Sequence, residues 1–533
     1  MKNYPLYPNT LVPTLKDLVH SCAEKYGDKP AFQYADRKMD VSVSFAQFKK
    51  DVEALGTYLF DQGHQQCHIA VFGENSYEWI LTHFAATCGC NVIVPIDKDL
   101  DAVQVAELLI DSECSVMFYS NTYSDIVASL QEMKIPGIVF YNMKKIPQMV
   151  ENGAQLFAAG YREYVDTKVE KDNLASIVYT SGTTGKSKGV MLTHFNFSSC
   201  AHGACCNILN SGPVLLVLPL HHTFGLVASV FSVMYYGNPV YINRSLKKIS
   251  SDFQKCQPQL VFVVPLILET LYKTIWNTAK KQGKDKALRI LVAVSNVLLK
   301  CGVDLRKLFF KSVLASLGGS LDMIVSGGAP LDEKYVKGFH SFGITVLNGY
   351  GITECGPVVA VNRNKFSVSG SVGLPLCCNE VKISDDGEIL VKGSNVMLGY
   401  YHNPEENEKA FVDGWFRTGD LGHLDEYGAL HITGRIKNLI ILSNGENIAA
   451  EGIEAQVATI PYVKEVVAYG KDDVIMAEVY LDEDVPDAKD RIHADIQVLN
   501  QKMPLTRNIG KVVIRDTEFP KTTTKKIKRN YGG

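Results

Sequence analysis

The chain has no Cys-x-x-Cys pair, no uninterrupted apolar run of membrane-spanning length and no excess of either charge. Its thirteen cysteines are scattered and odd in number, which argues for reduced thiols over a disulfide scaffold and makes a reducing cytoplasm the expected compartment. Lys+Arg (54) and Asp+Glu (57) nearly cancel, leaving a formal charge of -3. No general field would therefore hold nucleic acid, and an anionic membrane would need a local patch. The N-terminus, with prolines at 5, 8 and 13, has no apolar stretch of signal-peptide length. Asp, Glu, Lys and Arg are all missing between residues 189 and 243. A spanning helix needs about 20 apolar residues in a row, and Pro213, Pro219, His221 and His222 interrupt this segment. We therefore expect a buried strand at 214–218, a loop and a buried helix. No repeat of solenoid length is present.

What is there is globular: 533 residues, 46% hydrophobic and 21% charged, enough for a large core and more than one domain. Short β-branched runs at 68–73, 91–96, 115–120, 137–141 and 176–180 alternate with amphipathic segments such as ENSYEWILTHFAAT and DAVQVAELLID. This pattern predicts an α/β fold with mostly parallel sheets wrapped by helices. Residues 277–320 are helix-rich and basic, as expected of a surface excursion. From about 380 the pattern shifts to short hairpin-like strands, with Asp-Gly turns at 386–387 and 413–414.

The strongest chemical signal is Tyr179-Thr-Ser-Gly-Thr-Thr-Gly-Lys-Ser-Lys-Gly189, which follows an apolar strand. Glycines free the backbone to aim N–H groups at an anion, and the hydroxyls of Thr180, Ser181, Thr183 and Thr184 add donors, as a polyphosphate cradle requires. A P-loop is not supported, because the glycine it needs five places before Gly185 is Thr180. In NGYGITECGP (348–357), Tyr350 offers a flat face for a purine and Glu354 a hard oxygen for Mg²⁺. Asp420, in WFRTGD, could accept two ribose hydroxyls, and Arg435 would add a fixed positive charge. Taken singly, each also reads as an ordinary surface or ion-pair residue. The cluster Cys200, His202, Cys205, Cys206 matches no common zinc spacing and reads as core, as do Cys377 and Cys378.

These motifs resemble, in order and from about residue 15 to the end, those of the adenylate-forming acyl-activating enzymes, and within them the long-chain fatty-acyl-CoA synthetases. The carrying segments are TSGTTGKSKG (180–189), LPLHHTFG (218–225), SGGAPL (326–331), NGYGITECGP, GWFRTGDLG (414–422), GRIKNLIILSNGENI (434–448) and PKTTTKKIKR (520–529). The resemblance implies an enzyme that joins a carboxylate to ATP with loss of pyrophosphate, then passes the acyl group to coenzyme A. Its substrates would be a fatty acid of medium to long chain, ATP with Mg²⁺, and coenzyme A. An aryl or short-chain acid, an acyl-carrier protein as acceptor, and a non-catalytic nucleotide-binding scaffold are the alternatives. Peripheral contact of the basic tail with a membrane is a further option.

By the same resemblance the nucleotide would meet Thr180, Ser181, Gly182, Thr183, Thr184, Gly185, Lys188, Gly328, Ala329, Pro330, Asn348, Gly349, Tyr350, Gly351, Thr353, Asp420, Arg435 and Lys526. Glu354 and Thr184 would hold the metal, and Ser443, Asn444, Gly445 and Glu446 would face coenzyme A. His222 would gate the acyl tunnel, for which the charge-free 189–243 segment supplies an apolar wall. Lys526 would be the catalytic lysine, although Lys525 stands where the family pattern has glycine. The implied organisation is an N-terminal domain (1–434) with a small β-barrel-like part, a hinge at 435–438 turning about Lys437, and a small mobile α+β domain (439–533). On this reading Lys526→Ala lowers adenylate formation about 10²-fold, the scale of losing a positioned electrostatic stabiliser, yet spares thioester formation from preformed acyl-adenylate. Rapid-quench assays of each half-reaction check this, and equal losses in both would remove the assignment.

Overall fold

A computed structural model describes residues 6–36, 39–181, 187–243, 245–442, 447–521, 527 and 529. The chain forms two compact units, one of residues up to Glu380 with Val391–Phe416, the other of Val381–Leu390 with Arg417 onward.

The first unit is built on two large sheets. In the seven-stranded sheet, His68–Phe72, Val92–Ile96, Cys114–Tyr119, Val139–Asn142 and Leu174–Ser181 run parallel, close to the runs expected from sequence. Ser187–Thr193 and Gly399–Tyr400 extend it antiparallel. In the nine-stranded sheet, Thr345–Gly351, Met323–Ser326, Leu260–Val263, Val214–Leu216 and Val240–Ile242 are consecutive parallel neighbours. Each parallel strand needs a crossover to return the chain, and the helices that provide it bury an apolar face on the sheet.

Helices from both sheets meet through aromatic side chains. Phe84, on Tyr77–Thr87, lies with ring centroids 5.3 Å from Phe48 and 5.3 Å from Phe231, and Phe231 lies 5.7 Å from Phe197. All four rings are fully buried. The charge-free segment supplies two of these partners. It folds as helix His194–Asn207, started by a Thr193–Asn196 capping box, the short strand Val214–Leu216, and a buried helical run from Thr223 to Tyr236 with a π-helical turn at Val227–Phe231. Charge is missing there because every face of these elements is covered. Among the described residues no helix is long and apolar enough to cross a membrane.

The basic segment near 277–320 is helical as expected, with Pro265–Lys281 and Asp285–Lys300 its longest pieces. At the predicted 413–414 turn, Asp413 and Gly414 both have positive φ (50° and 76°), the geometry of a tight hairpin that only such residues adopt cheaply. The second unit holds a three-stranded sheet, Val463–Lys471, Val474–Leu481 and Ile509–Arg515, packed on helices Ala450–Val457 and Ala488–Asn500 around Val457, Val479 and Ile492. The cysteines depart from expectation at one turn, where Cys378 is only partly buried. Cys377 is not core but exposed, beside His202 and Cys206, because the 376–378 turn lies over helix His194–Asn207 with this side chain outermost.

Phe84 has no polar substitute for its contacts, so Phe84→Ala should cost about 3–5 kcal/mol. Denaturant unfolding followed by tryptophan fluorescence, whose reporters Trp79, Trp276 and Trp415 all lie in the first unit, should show the lower midpoint.

Candidate active site

The five consecutive parallel strands of the nine-stranded sheet end at one edge, and three of the sequence motifs leave from there. Val214–Leu216 leads to Pro219–His222, Met323–Ser326 to Gly327–Pro330, and Thr345–Gly351 carries Asn348, Gly349 and Tyr350 at its own end. Ser326 is in register with both Val263 and Asn348. The carboxyl ends of parallel strands are where α/β sheets bind ligands, because the loops diverge there. The loops approach very closely. A Cβ placed on Gly327 would lie 3.3 Å from the Phe224 ring and 3.4 Å from the Gly349 carbonyl oxygen, which joins the three motifs at one point. Gly328 sits at φ +84°, with only Val264 nearby. A Cβ on Gly351 would stand 2.1 Å from the Pro357 carbonyl oxygen. That oxygen accepts the Ile352 N–H at 2.9 Å, closing the loop that presents Thr353 and Glu354. At the amino ends of the same strands a shallow groove lined by Gln259, Lys307 and Asp322 carries none of the motifs.

The glycine-rich run belongs to a β-hairpin, with Thr180 paired to Lys188 and Ser181 to Ser187. A strand, not a helix, follows it, in accord with the missing P-loop glycine. Gly182, Thr183, Thr184 and Gly185 lie outside the described residues, as do Ser443, Asn444, Gly445, Glu446 and Lys526. The second hairpin strand is joined to the Glu354 loop through Gly399–Tyr400. Tyr400 pairs with Val190, and its hydroxyl donates to Glu354 Oε1 at 2.9 Å, while Met397 N–H donates to the Glu354 carbonyl at 2.8 Å. Lys188 reaches the same place, its Nζ 5.2 Å from the Tyr400 ring centroid and paired with Glu406. This pairing holds Glu406 below its usual pKa. Glu354, Tyr400, Lys188 and Glu406 thus form one polar junction between the sheets.

His221 is buried and lies 3.3 Å from Asp97, which follows strand Val92–Ile96. Burial, reinforced by the nearby Lys98, pushes its pKa down to about 3. His221 is therefore neutral at physiological pH, and its Nε2 lies near the carboxylate without a hydrogen bond to it. His222 packs against it at 4.2 Å between centroids and precedes the buried helix. Asn75 holds the turn from both sides, donating to Leu218 O at 2.8 Å and accepting from Leu220 N at 3.0 Å.

In the second unit Asp420 and Arg435 are cross-strand partners of a hairpin, with Arg435 Nε 2.7 Å from Asp420 Oδ1. Asp420 is 2% exposed, and a carboxylate so buried requires such a partner. Buried Glu388 supports the loop by accepting the Gly419 N–H at 2.9 Å and the Arg417 Nε–H at 2.9 Å. Lys437 lies in the 3₁₀ turn Ile436–Asn438, and burial, then Arg435, lowers its pKa. Next to it Asn438 donates to Glu451 at 2.5 Å.

The family model described as "AMP-binding enzyme" matches residues 19–401, well over half of the chain. The chain belongs to the AMP-binding enzymes. It is 30% identical to the long-chain-fatty-acid–CoA ligase FadD15 of Mycobacterium bovis over 83% of this chain and 78% of that one. It is 29% identical to fatty acyl-CoA synthetase A of Dictyostelium discoideum, over 80% and 70% respectively. O-succinylbenzoate coenzyme A synthetase from Bacillus subtilis, solved with AMP, has the same fold, with a TM-score of 0.76 at 23% identity over 96% of this chain and 97% of that chain. A fatty acyl CoA synthetase of Mycobacterium tuberculosis aligns at 0.70 and 23%, over 97% and 96%.

In this AMP-binding enzyme sequence reasoning missed Asp97, Asn75, Glu406 and Glu388. None stands in a glycine-rich or histidine motif, and each meets its partner only through the tertiary fold. Tyr400 was missed for the same reason. The tightest contact of the site gives a test. Gly351→Ala cannot keep the Pro357 approach, and overpacking of this kind costs about 1–3 kcal/mol. ATP affinity by calorimetry should fall about ten-fold or more with far-UV circular dichroism unchanged; unchanged affinity would remove this loop from the nucleotide site.

Proposed function

We propose that the chain is an Mg²⁺- and ATP-dependent acid–thiol ligase that activates medium- to long-chain fatty acids. The observation that carries this reading is the meeting of the SGGAP, NGYG and HHTFG segments at Gly327, beside a junction that contains Glu354. One fatty-acid carboxylate oxygen attacks the α-phosphorus of ATP, and pyrophosphate leaves. The coenzyme A sulfur then attacks the acyl carbon, the thiol proton passes to solvent, and AMP leaves. The sequence similarity to fatty-acid–CoA ligases over most of the chain supports the substrate class.

The residues present fit the groups the family uses. Glu354, its carboxylate oriented by Tyr400, is a hard oxygen donor of the type Mg²⁺ takes, and the ion would supply neutralisation of phosphate charge. We assign Tyr350 to the purine face, Gly328, Ala329, Pro330, Asn348, Gly349 and Gly351 to the backbone around it, and Thr353 and Lys188 to the phosphates. Thr180–Gly185 would cradle them, with Thr184 as second metal ligand. Asp420 would accept from the ribose while Arg435 fixes its orientation. Lys526 would offset charge as the adenylate forms, Ser443–Glu446 would meet coenzyme A, and His222 would gate the acid. Neutral His221 beside Asp97 suits a positioning role next to that gate. Reorientation of 439–533 about Lys437 would separate the half-reactions, which need different surroundings. Thirteen free thiols support a reducing, cytoplasmic setting.

The test is acid-dependent pyrophosphate release across short, aryl, medium and long acids, with coenzyme A or a carrier protein offered as acceptor. Medium to long chains with coenzyme A should give the highest kcat/KM; preference for aryl acids, or acceptance of a carrier protein alone, would overturn the substrate assignment. Lys437→Pro restricts the backbone at the pivot and should leave pyrophosphate exchange near its original rate while thioester formation falls sharply and acyl-adenylate accumulates. Thioester formation at full rate in the folded variant would show that no rotation about this residue is needed.

A further inference from the structure

Helix His194–Asn207 places His202 and Cys206 four residues apart, on one face. Glycine at 203 lets the 376–378 turn lie directly on that helix, since a Cβ there would already be 3.2 Å from Cys378 Sγ and 3.2 Å from Leu376. The turn thereby delivers Cys377 to the same face, and one ligand atom from each of His202, Cys206 and Cys377 lies within 4.8 Å of the others. His202 Nε2 is 3.6 Å and Nδ1 4.0 Å from Cys206 Sγ. Zinc bond lengths of about 2.3 Å to sulfur and 2.0–2.1 Å to nitrogen put tetrahedral N and S ligands roughly 3.5 Å apart, so the 4.0 Å between Nδ1 and Sγ has to close by about 0.5 Å on binding.

We propose that His202, Cys206 and Cys377 form a zinc site that clips the N-terminal segment and helix His194–Asn207 to the 376–378 turn. The imidazole is already held as a zinc ligand requires. Its Nε2 lies 3.1 Å from the Asn9 carbonyl oxygen, and donation there leaves the Nδ1 lone pair for the metal, the backbone-carbonyl support that ligating histidines commonly have. Tyr7 N–H donates to the Cys206 carbonyl at 2.9 Å, so the segment that supports the histidine is also tied to the second ligand. Cys206 is buried and Cys377 is exposed, which gives the ion an entry path and leaves room for a water as fourth ligand. On binding, each S–H bond breaks as an S–Zn bond forms, and two protons pass to the buffer. Arg363 acts electrostatically on both thiols; its charge favours the thiolates, and two thiolates still outweigh it.

Cobalt serves as the probe, because thiolate ligation gives a sulfur-to-cobalt charge-transfer band that ligation by nitrogen and oxygen alone does not. Metal-free full-length protein, kept reduced with a phosphine, is titrated with Co²⁺. One equivalent should produce the charge-transfer band with the intense visible bands of tetrahedral Co²⁺, and Zn²⁺ should bleach both. Cys377→Ser and His202→Gln should each weaken binding about ten-fold or more. Zn²⁺ should raise the melting temperature of the parent protein but not that of Cys377→Ser. Circular dichroism of Cys377→Ser, a change at an exposed position, verifies folding. The Asp97, His221 and His222 group, which also has metal-ligand spacing, contains no sulfur and cannot give the band. Absence of the band at excess Co²⁺, or a band of undiminished affinity in Cys377→Ser, overturns the proposal.

Discussion

Close contact of backbone with backbone at the carboxyl edge of the nine-stranded sheet is the constraint on which the first unit's site depends. Gly327 lies against Gly349 and Phe224, where a side chain would press on its neighbours, and Gly351 against the Pro357 carbonyl, where there is no space for one. The Gly327 contacts require parallel strands that hold three chain segments in fixed register, which the pairs Val263 with Ser326 and Ser326 with Asn348 accomplish, whereas Gly351 meets Pro357 through antiparallel pairing with Val358. The register in turn depends on crossovers that stay buried. The charge-free segment serves that need, and the same composition suits it to an apolar wall. Packing and site formation therefore share one stretch of sequence.

Polar groups in each unit, taken by itself, follow the rule that a buried charge must have a partner. Glu354 has Tyr400, Lys188 has Glu406, and in the second unit Asp420 has Arg435 while Glu388 has Arg417 and the Gly419 N–H; buried His221 instead stays neutral. Groups held in this way need little reorganisation when a charged ligand arrives, which is how a protein site favours developing charge more effectively than water does. Tyr400 and Lys188 have a second importance, because they tie the hairpin of one sheet to the Glu354 loop that leaves the other.

Much of this organisation was legible in the chain itself. Period and composition located the strands His68–Phe72, Val92–Ile96 and Cys114–Tyr119 to within a residue or two, and the glycine spacing excluded a P-loop before the hairpin was seen. Strands and glycine turns are local, so a few residues specify them. Cys377 was misread for the opposite reason. Its neighbours in sequence say nothing of His202, which lies on a helix from another part of the chain, and only the missing side chain at Gly203 lets the two approach.

The sequence by itself determined the element types, the apolar character of 189–243 and the identity of the chemical motifs, since these rest on local conformational preference and on which atoms a side chain carries. Tertiary structure alone decided which residues complete those motifs: Asp97 for His221, Glu406 for Lys188, Arg435 opposite Asp420, and Cys377 beside Cys206. The physical reason is one of range. Hydrogen bonds and ion pairs act over a few ångströms, and residues distant in the chain come that close only after apolar burial has fixed the register of the sheets and the seating of the helices.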